Sequence, residues 1–579
     1  MKRFAGLGLA CISLISSPAL AAGDLPIMST LVSNFIPQLG PNARQRYKDI
    51  FVAIREGRWA DAQAGLDAMP EGPLHNVARA ELYLAKGSPK ATPEQLEAIL
   101  TAAPYLPQAA QLSRLAKSRG QDVAVSLPIA RDLVWLGSAP RRARTAQTGD
   151  PLAVSVNARI QPLIKENLPF EAEAIVLANE GNLTLEGRTE LYQRVAWSYF
   201  ITGEDDAARR LAAWGQLGVG PWAAQSAWTQ GLAAWRLGEY AESLAAFQSA
   251  AARFQDDDME AAAHFWAARA AMAAGMPQKV DGHLRIAARF TETFYGLLAA
   301  DRLGLPKYVQ QVPDNIAEVE NLPNVRAALA LAEINETDLA DEIIRWQARI
   351  GDPRKHAALA ALAGRMDLPA TQLWLAHNGP VGAQAPASAR YPMPRTWVPE
   401  GGWRVDRALV YAHALQESQF RTSVVSPAGA RGLMQVMPGT AAMMARKMGR
   451  GSVGSLNNPA TNMEYGQSFI ERLRDMPTTG GMLPKVIAAY NAGPQPVDTW
   501  NQRSRDASDP LLYIESIPYW ETRAYVTIIL RNYWMYQLQA NEKTASLSAL
   551  SQGLWPRFPG LPGPSAVRLD RPAGIASAN

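Results

Sequence analysis

The chain has 579 residues, enough for three or four units of about 150 residues each. Hydrophobic residues make up 48% and charged residues 19%, an ordinary globular balance that excludes a wholly disordered chain. No segment past the N-terminus approaches the roughly 18 consecutive apolar residues of a spanning helix. The net charge of +4, from 57 Lys+Arg and 53 Asp+Glu, is too slight for a general nucleic-acid binder.

Residues 1–22 read as a secretory signal peptide. Lys2 and Arg3 open it, Phe4 to Ile15 is apolar, and Ala19-Leu20-Ala21 is a small-x-small cleavage site. A lipid-anchored reading would use Cys11, but Gly8 stands where such sites favour Leu. Cys11 is the only cysteine, so the expected mature chain has no thiol and no disulfide. Thiol catalysis and Cys-ligated metals drop out. No His-x-x-x-His pair or Gly-rich phosphate loop is present, so no metal and no cofactor is expected.

From about Asp24 to Ala376 the chain is rich in Ala, Leu, Glu, Gln and Arg, all good helix formers, with Gly and Pro punctuation at helix-hairpin spacing. Trp235-Arg-Leu-Gly238-Glu-Tyr240 followed by Leu244 and Phe247 resembles a tetratricopeptide helix pair, and Gly57-Arg-Trp59 and Trp197 to Gly203 echo it. One such pair cannot bury its apolar face but a stack can, so an N-terminal α-superhelix is expected over 23–390. Gly379 to Pro394 reads as a linker by composition. Residues 391–545 are expected to form a second, helical unit. From residue 390 on, 20 Lys/Arg stand against 13 Asp/Glu, a balance that suits an anionic polymer or scattered solvated Arg. The Pro-, Gly- and Ser-rich tail, 546–579, is expected to be extended or disordered.

Arg404 to Ser418 fits a helix, with Val405, Ala408, Leu409, Ala412 and Leu415 on one apolar face and Glu417 in the last turn. The negative end of the helix dipole and apolar neighbours both oppose ionising a carboxyl there. A carboxylic acid still protonated near neutral pH is what cleavage of a glycosidic bond needs. His413, one turn earlier, reads as a packed or solvated side chain. Three further blocks follow. Ser426-Pro-Ala-Gly429-Ala-Arg431-Gly432-Leu-Met434-Gln435-Val-Met437 combines small residues with a polar amide and a soft apolar floor. Ala488-Ala-Tyr490-Asn491-Ala-Gly493 lies at a helix end, and Glu515 to Val526 breaks at Pro518 before another helix.

These four blocks, in this order and spacing, resemble the catalytic domain of the soluble lytic murein transglycosylases across about residues 395–540. Thr293 to Gly304 is similar to a further element of that family. The resemblance implies an all-α chain: a TPR-like superhelical solenoid or ring, linker helices and a lysozyme-like catalytic domain. It implies Glu417 as catalytic acid/base. It places Ser426, Gln435, Met437, Tyr490, Asn491 and Glu521 on the glycan, and groups Glu515 and Tyr525 with them as motif members that brace the site. The implied substrate is peptidoglycan glycan strands, handled by a periplasmic monomer whose superhelix orients strands or docks protein partners.

No acidic residue lies between Glu417 and Glu464, whereas ordinary glycosidases use two carboxylates. Glu464, Glu515 or Glu521 could fold back beside Glu417. The resemblance implies a single-acid route to a 1,6-anhydro sugar. A lysozyme-like hydrolase and a periplasmic scaffold with an inert catalytic domain are the competing readings.

Overall fold

The computed structural model describes residues 35–311, 315–503, 505–506 and 508–569. The expected signal segment lies outside them. Among the described residues are 26 α-helices and four strands of two or three residues, so the fold is all-α. No helix among them is long and apolar enough to cross a membrane.

From Pro151–Lys165 to Phe294–Arg302, successive helices pack as antiparallel hairpins, each against its sequence neighbours. The pair read from the sequence is there. Pro221–Leu237 ends at Gly238, whose φ of 80° only glycine adopts readily, and Tyr240–Ala251 runs back. Trp235 meets Tyr240 edge-on at 5.1 Å across that turn. Trp228 and Trp266 are buried wedges between such helices.

The first helices do not continue this stack. Tyr47, Phe51, Leu66 and Leu82 share a core with Val325, Ile343, Leu359 and Leu375, so the chain returns to its own start. Glu333 fixes the closure by accepting the backbone amides of Gln38 (2.6 Å) and Leu39 (3.2 Å) and pairing with Arg44 (2.8 Å).

The stretch 379–394 is packed rather than a free linker. Asn378–Pro380 pairs antiparallel with Leu133–Trp135, and Ala387–Arg390 forms a 3-10 turn. Tyr391 is buried, its hydroxyl 3.2 Å from Glu292. Composition marks the absence of helix here but says nothing of these distant partners.

In the C-terminal part, Trp520–Gln539 is buried over most of its surface and forms the central rod, against which Arg407–Ser418 and Leu483–Ala492 pack. The rod also joins the superhelix, where Trp534 stacks on Phe294 at 5.1 Å. The tail departs from expectation. Ala545–Ser551 is helical, Trp555–Pro556 pairs with Ala566–Val567, and Trp555 and Phe558 are buried. Two aromatic anchors in a Pro/Gly-rich segment suffice to hold it on the core.

Candidate active site

The acid helix, Arg407–Ser418, is capped by Asp406, whose carboxylate accepts the Ala408 amide at 2.9 Å, and starts three residues after the start read from the sequence. Arg404 turns aside to pair with Glu464 (2.8 Å) and Glu471 (2.9 Å). The helix stops directly after Glu417 and Ser418, because Gln419 (φ 55°) and Phe420 (φ 61°) are both left-handed. Two such non-glycine residues in succession are uncommon and concentrate at functional sites.

Glu417 is half-buried, and its Oε1 accepts the Tyr525 hydroxyl at 2.6 Å. Burial pushes the carboxyl up from 4.5 to about 7; the Tyr525 hydrogen bond opposes this and the negative charge of Glu521 adds to it. His413 is buried below. It donates from Nδ1 to the Leu409 carbonyl (2.9 Å), has no partner at Nε2 among the described residues, and packs edge-on against Tyr490 (4.7 Å) and Tyr525 (6.0 Å). Burial pushes its ring down to about 4, so it is neutral and carries no charge to the site.

The Ser426–Met437 block forms a tight loop held by bridges from Arg431 to Val425 and Val436. The Ser426 hydroxyl accepts the Ala430 amide at 3.0 Å and keeps its own proton to donate. Gln435, itself left-handed (φ 47°), ties its Nε2 to the carbonyls of Gly432 (2.8 Å) and Val424 (3.2 Å), which leaves Oε1 to accept. Met437 is exposed. Gly432 has no room for a side chain, since a Cβ would lie 2.1 Å from the Leu456 carbonyl.

Tyr490 donates to the Met434 carbonyl at 2.8 Å, joining its helix to this loop, and Asn491 accepts the Thr522 hydroxyl at 2.6 Å, joining the same helix to the central rod. Glu521 is exposed in the first turn of that rod. Glu417, Tyr490, Tyr525, the Gln435 loop and Asn491 thus form one connected wall.

Glu515 is placed elsewhere, and its assignment to the substrate-binding set needs correction. It is fully buried, takes a two-pronged pair from Arg142 (2.7 Å each) and accepts the Tyr295 hydroxyl (2.7 Å). Burial alone would raise its carboxyl, but Arg142 outweighs that and holds it low. Asp258 takes the remaining Arg142 contact at 3.0 Å. Glu515 therefore locks the turn before the rod onto the superhelix and faces no groove. Glu464 is likewise consumed, since Arg404 and the Gly401 amide (2.8 Å) hold it below the usual carboxylate range despite burial.

One structural residue was passed over in the sequence. Asn462 accepts the Met434 amide (2.8 Å) and donates to the carbonyls of Arg431 (2.8 Å) and Leu456 (2.9 Å), shaping the loop that carries Gln435. A fully buried Asn inside a helix is satisfied only by such a loop, but burial is not legible in one sequence.

The family model of the transglycosylase SLT domain matches residues 399–512. The C-terminal region carries an SLT domain. The soluble lytic murein transglycosylase of Escherichia coli (strain K12) is 37% identical over 155 residues, 26% of this chain and 24% of that protein. The chain thus spans about a quarter of the length of such curated relatives in sequence. The endo-type membrane-bound lytic murein transglycosylase A of Klebsiella pneumoniae (strain 342) is 33% identical over 129 residues, 64% of its length.

Similarity of fold extends further. The 70-kDa soluble lytic transglycosylase of E. coli superposes over 89% of this chain and 99% of its own, with a TM-score of 0.53 at 18% identity. An inactive mutant of the lytic transglycosylase Slt from Pseudomonas aeruginosa does so over 89% of both chains, with a TM-score of 0.51 at 20% identity. The all-α superhelix followed by a lysozyme-like SLT domain is therefore the architecture of this chain, and its resemblance to the soluble lytic transglycosylases is established. Glu521 and Tyr525 lie beyond the SLT match, on the central rod.

Proposed function

We propose that this chain is a peptidoglycan lytic transglycosylase in which Glu417 is the single acid/base. The observation that carries the reading is a half-buried carboxyl pushed up to about 7 and gripped by Tyr525, while Glu464 and Glu515 are neutralised by Arg404 and Arg142. Of the three candidate second carboxylates only Glu521 stays solvent-facing, and its charge supports protonation of Glu417.

In the proposed cycle, Glu417 gives its proton to the oxygen linking N-acetylmuramic acid to N-acetylglucosamine, and the C1–O bond breaks with oxocarbenium character. The substrate's own N-acetyl group steadies the developing charge. The muramic O6 then attacks C1 and returns its proton to Glu417. A 1,6-anhydro ring forms, no water is consumed, and the acid is restored. An attached nucleophile needs no capture from solution, so the step carries little entropic cost. Ser426, Gln435, Met437, Tyr490, Asn491 and Glu521 are proposed to hold the glycan. Residues 1–22 are proposed to direct the chain to the periplasm.

The second reading, a hydrolase of the same fold, rests on the exposed Glu521, which could activate a water. Mass spectrometry of digested sacculi separates the two. Anhydro products, one water lighter than reducing sugars, are expected; reducing ends as the main product would overturn the lyase mechanism.

A further inference from the structure

The segment between the Ala109–Ser118 and Pro151–Lys165 helices carries no α-helix and meets the central rod at Pro140, whose carbonyl accepts Arg531 at 2.5 Å. Beside that contact lies a cavity lined by Arg141, Arg142, Asp258, Phe294, Thr527 and Arg531. About 10 Å³ of it is open to the centre of a water-sized sphere, which is room for one water or one small ion and too little for a tetrahedral oxyanion. The lining comes from four elements: this segment, the Asp257–Ala273 helix, the Phe294–Arg302 helix and the rod. The cavity therefore exists only while the superhelix and the rod are docked.

Among the described residues the charges around it do not balance. Its lining holds three guanidinium groups and one carboxylate. That carboxylate, Asp258, already pairs with Arg142 at 3.0 Å, and Glu515 takes the other two nitrogens of the same guanidinium. Arg531 is 3% exposed, yet it bonds only neutral oxygens: Nε and Nη2 donate to the Asn532 side chain (3.2 and 2.9 Å) and Nη1 to Pro140. Arg141 has no hydrogen bond or ion pair with any described residue, and burial and the charge of Arg531 both hold it below the ordinary arginine range. Arg523, also on the rod, donates only to the carbonyls of Ile517 (3.1 Å) and Glu515 (3.4 Å). Against these four cations stand Asp258, Glu515 and Asp256, and Asp256 is engaged in capping its helix through the Met259 amide at 2.9 Å. Glu292, beyond Tyr391, is neutralised by Arg390. Like charges gathered in a dry joint repel, and a buried charge without a counter-charge is costly.

We propose that this cavity binds a halide ion, chloride, held by the guanidinium groups of Arg141 and Arg531 with Arg142 beside them, and that the ion ties the superhelix to the central rod. The N–H groups left over from the protein's own bonds are its donors, and charge-assisted bonds of this kind are strong. The Thr527 hydroxyl is not one of them, because its proton goes to the Ala524 carbonyl at 3.0 Å. The size of the space selects a single atom over sulfate or phosphate, and the excess of guanidinium selects an anion over water. The site uses no residue around Glu417 and holds whatever reaction the SLT domain performs.

The test is thermal unfolding of the full chain in sodium chloride, sodium bromide or sodium gluconate at one fixed ionic strength. A ligand that binds only the docked, folded state raises the melting temperature until its site is full. Chloride and bromide are expected to raise it by about 1–2 °C and then saturate, while gluconate, too large for the cavity, does not. Arg531→Met should abolish the halide response. Arg141→Met, at an exposed position, keeps the test open if Arg531→Met fails to fold, and should remove most of the response. In bromide-soaked crystals an anomalous peak among Arg141, Arg142 and Arg531 is expected. Equal melting temperatures in chloride and gluconate would overturn the site, as would a halide response kept in full by Arg141→Met. A water with no anomalous signal at that position would overturn it too.

Discussion

Glu417→Gln separates the titrating proton from the shape of the side chain. The amide keeps an oxygen to accept the Tyr525 hydroxyl, so the local geometry is expected to survive. The rise of the carboxyl from 4.5 to about 7 corresponds to roughly 3 kcal/mol of preference for the neutral form in the folded chain. The sign follows from where each state releases the proton. As pH climbs from about 4.5 to about 7, the unfolded chain gives up this proton while the folded chain keeps it. Stability falls across that window and stays flat above it. The amide variant has no such loss. It should match its parent near pH 4 and exceed it by about 2–3 kcal/mol near pH 8, the lower figure allowing for the solvent that reaches this half-buried group. Urea unfolding of the full chain at both pH values, followed by tryptophan fluorescence, reads the difference, while turnover of sacculi should be absent at both. A variant that gains nothing at pH 8, or gains equally at both pH values, would refute the reasoning, because Glu417 would then be ionised in the folded chain at neutral pH.

Four further outcomes are expected. Since the proposed cycle requires protonated Glu417, kcat/KM should fall as pH rises through about 7. Tyr525→Phe removes a hydrogen bond that favours the ionised form, so this alkaline limb should move upward while the maximal rate drops about tenfold; a downward shift in a pH-rate profile counts against the assignment. Glu515→Gln leaves the buried Arg142 guanidinium with Asp258 as its one carboxylate and should cost about 3–5 kcal/mol, with Arg142→Met added to it recovering part; thermal unfolding of the parent and these two variants decides. Removing the tail after Ser551 takes away the buried Trp555 and Phe558 and should cost about 3–5 kcal/mol or more, seen as faster hydrogen exchange in the Pro510–Glu515 helix on which Trp555 packs at Tyr513. Unchanged exchange there would mean that the tail is not part of the core.

The amino-acid sequence by itself determined what depends on near neighbours. Helix formers with Gly and Pro punctuation specify an all-α chain, and the hairpin at Gly238 follows from that glycine and its flanking aromatics. The SLT-domain signature was legible too, because the Glu417 helix end, the Gln435 loop and the Tyr490 block are short local patterns. The tertiary structure alone decided the pairings between distant residues. Tyr525 reaches Glu417 across 108 positions, and Arg142 reaches Glu515 across 373. The first turned a carboxyl at a helix end into an acid held near neutrality. The second moved Glu515 out of the groove and into the joint between superhelix and SLT domain. Closure of the first helices onto 323–377 and the ordering of the tail are of the same kind. Each depends on which surfaces meet once the chain is compact, and burial, not local spacing, sets the charge state and the role of a side chain there.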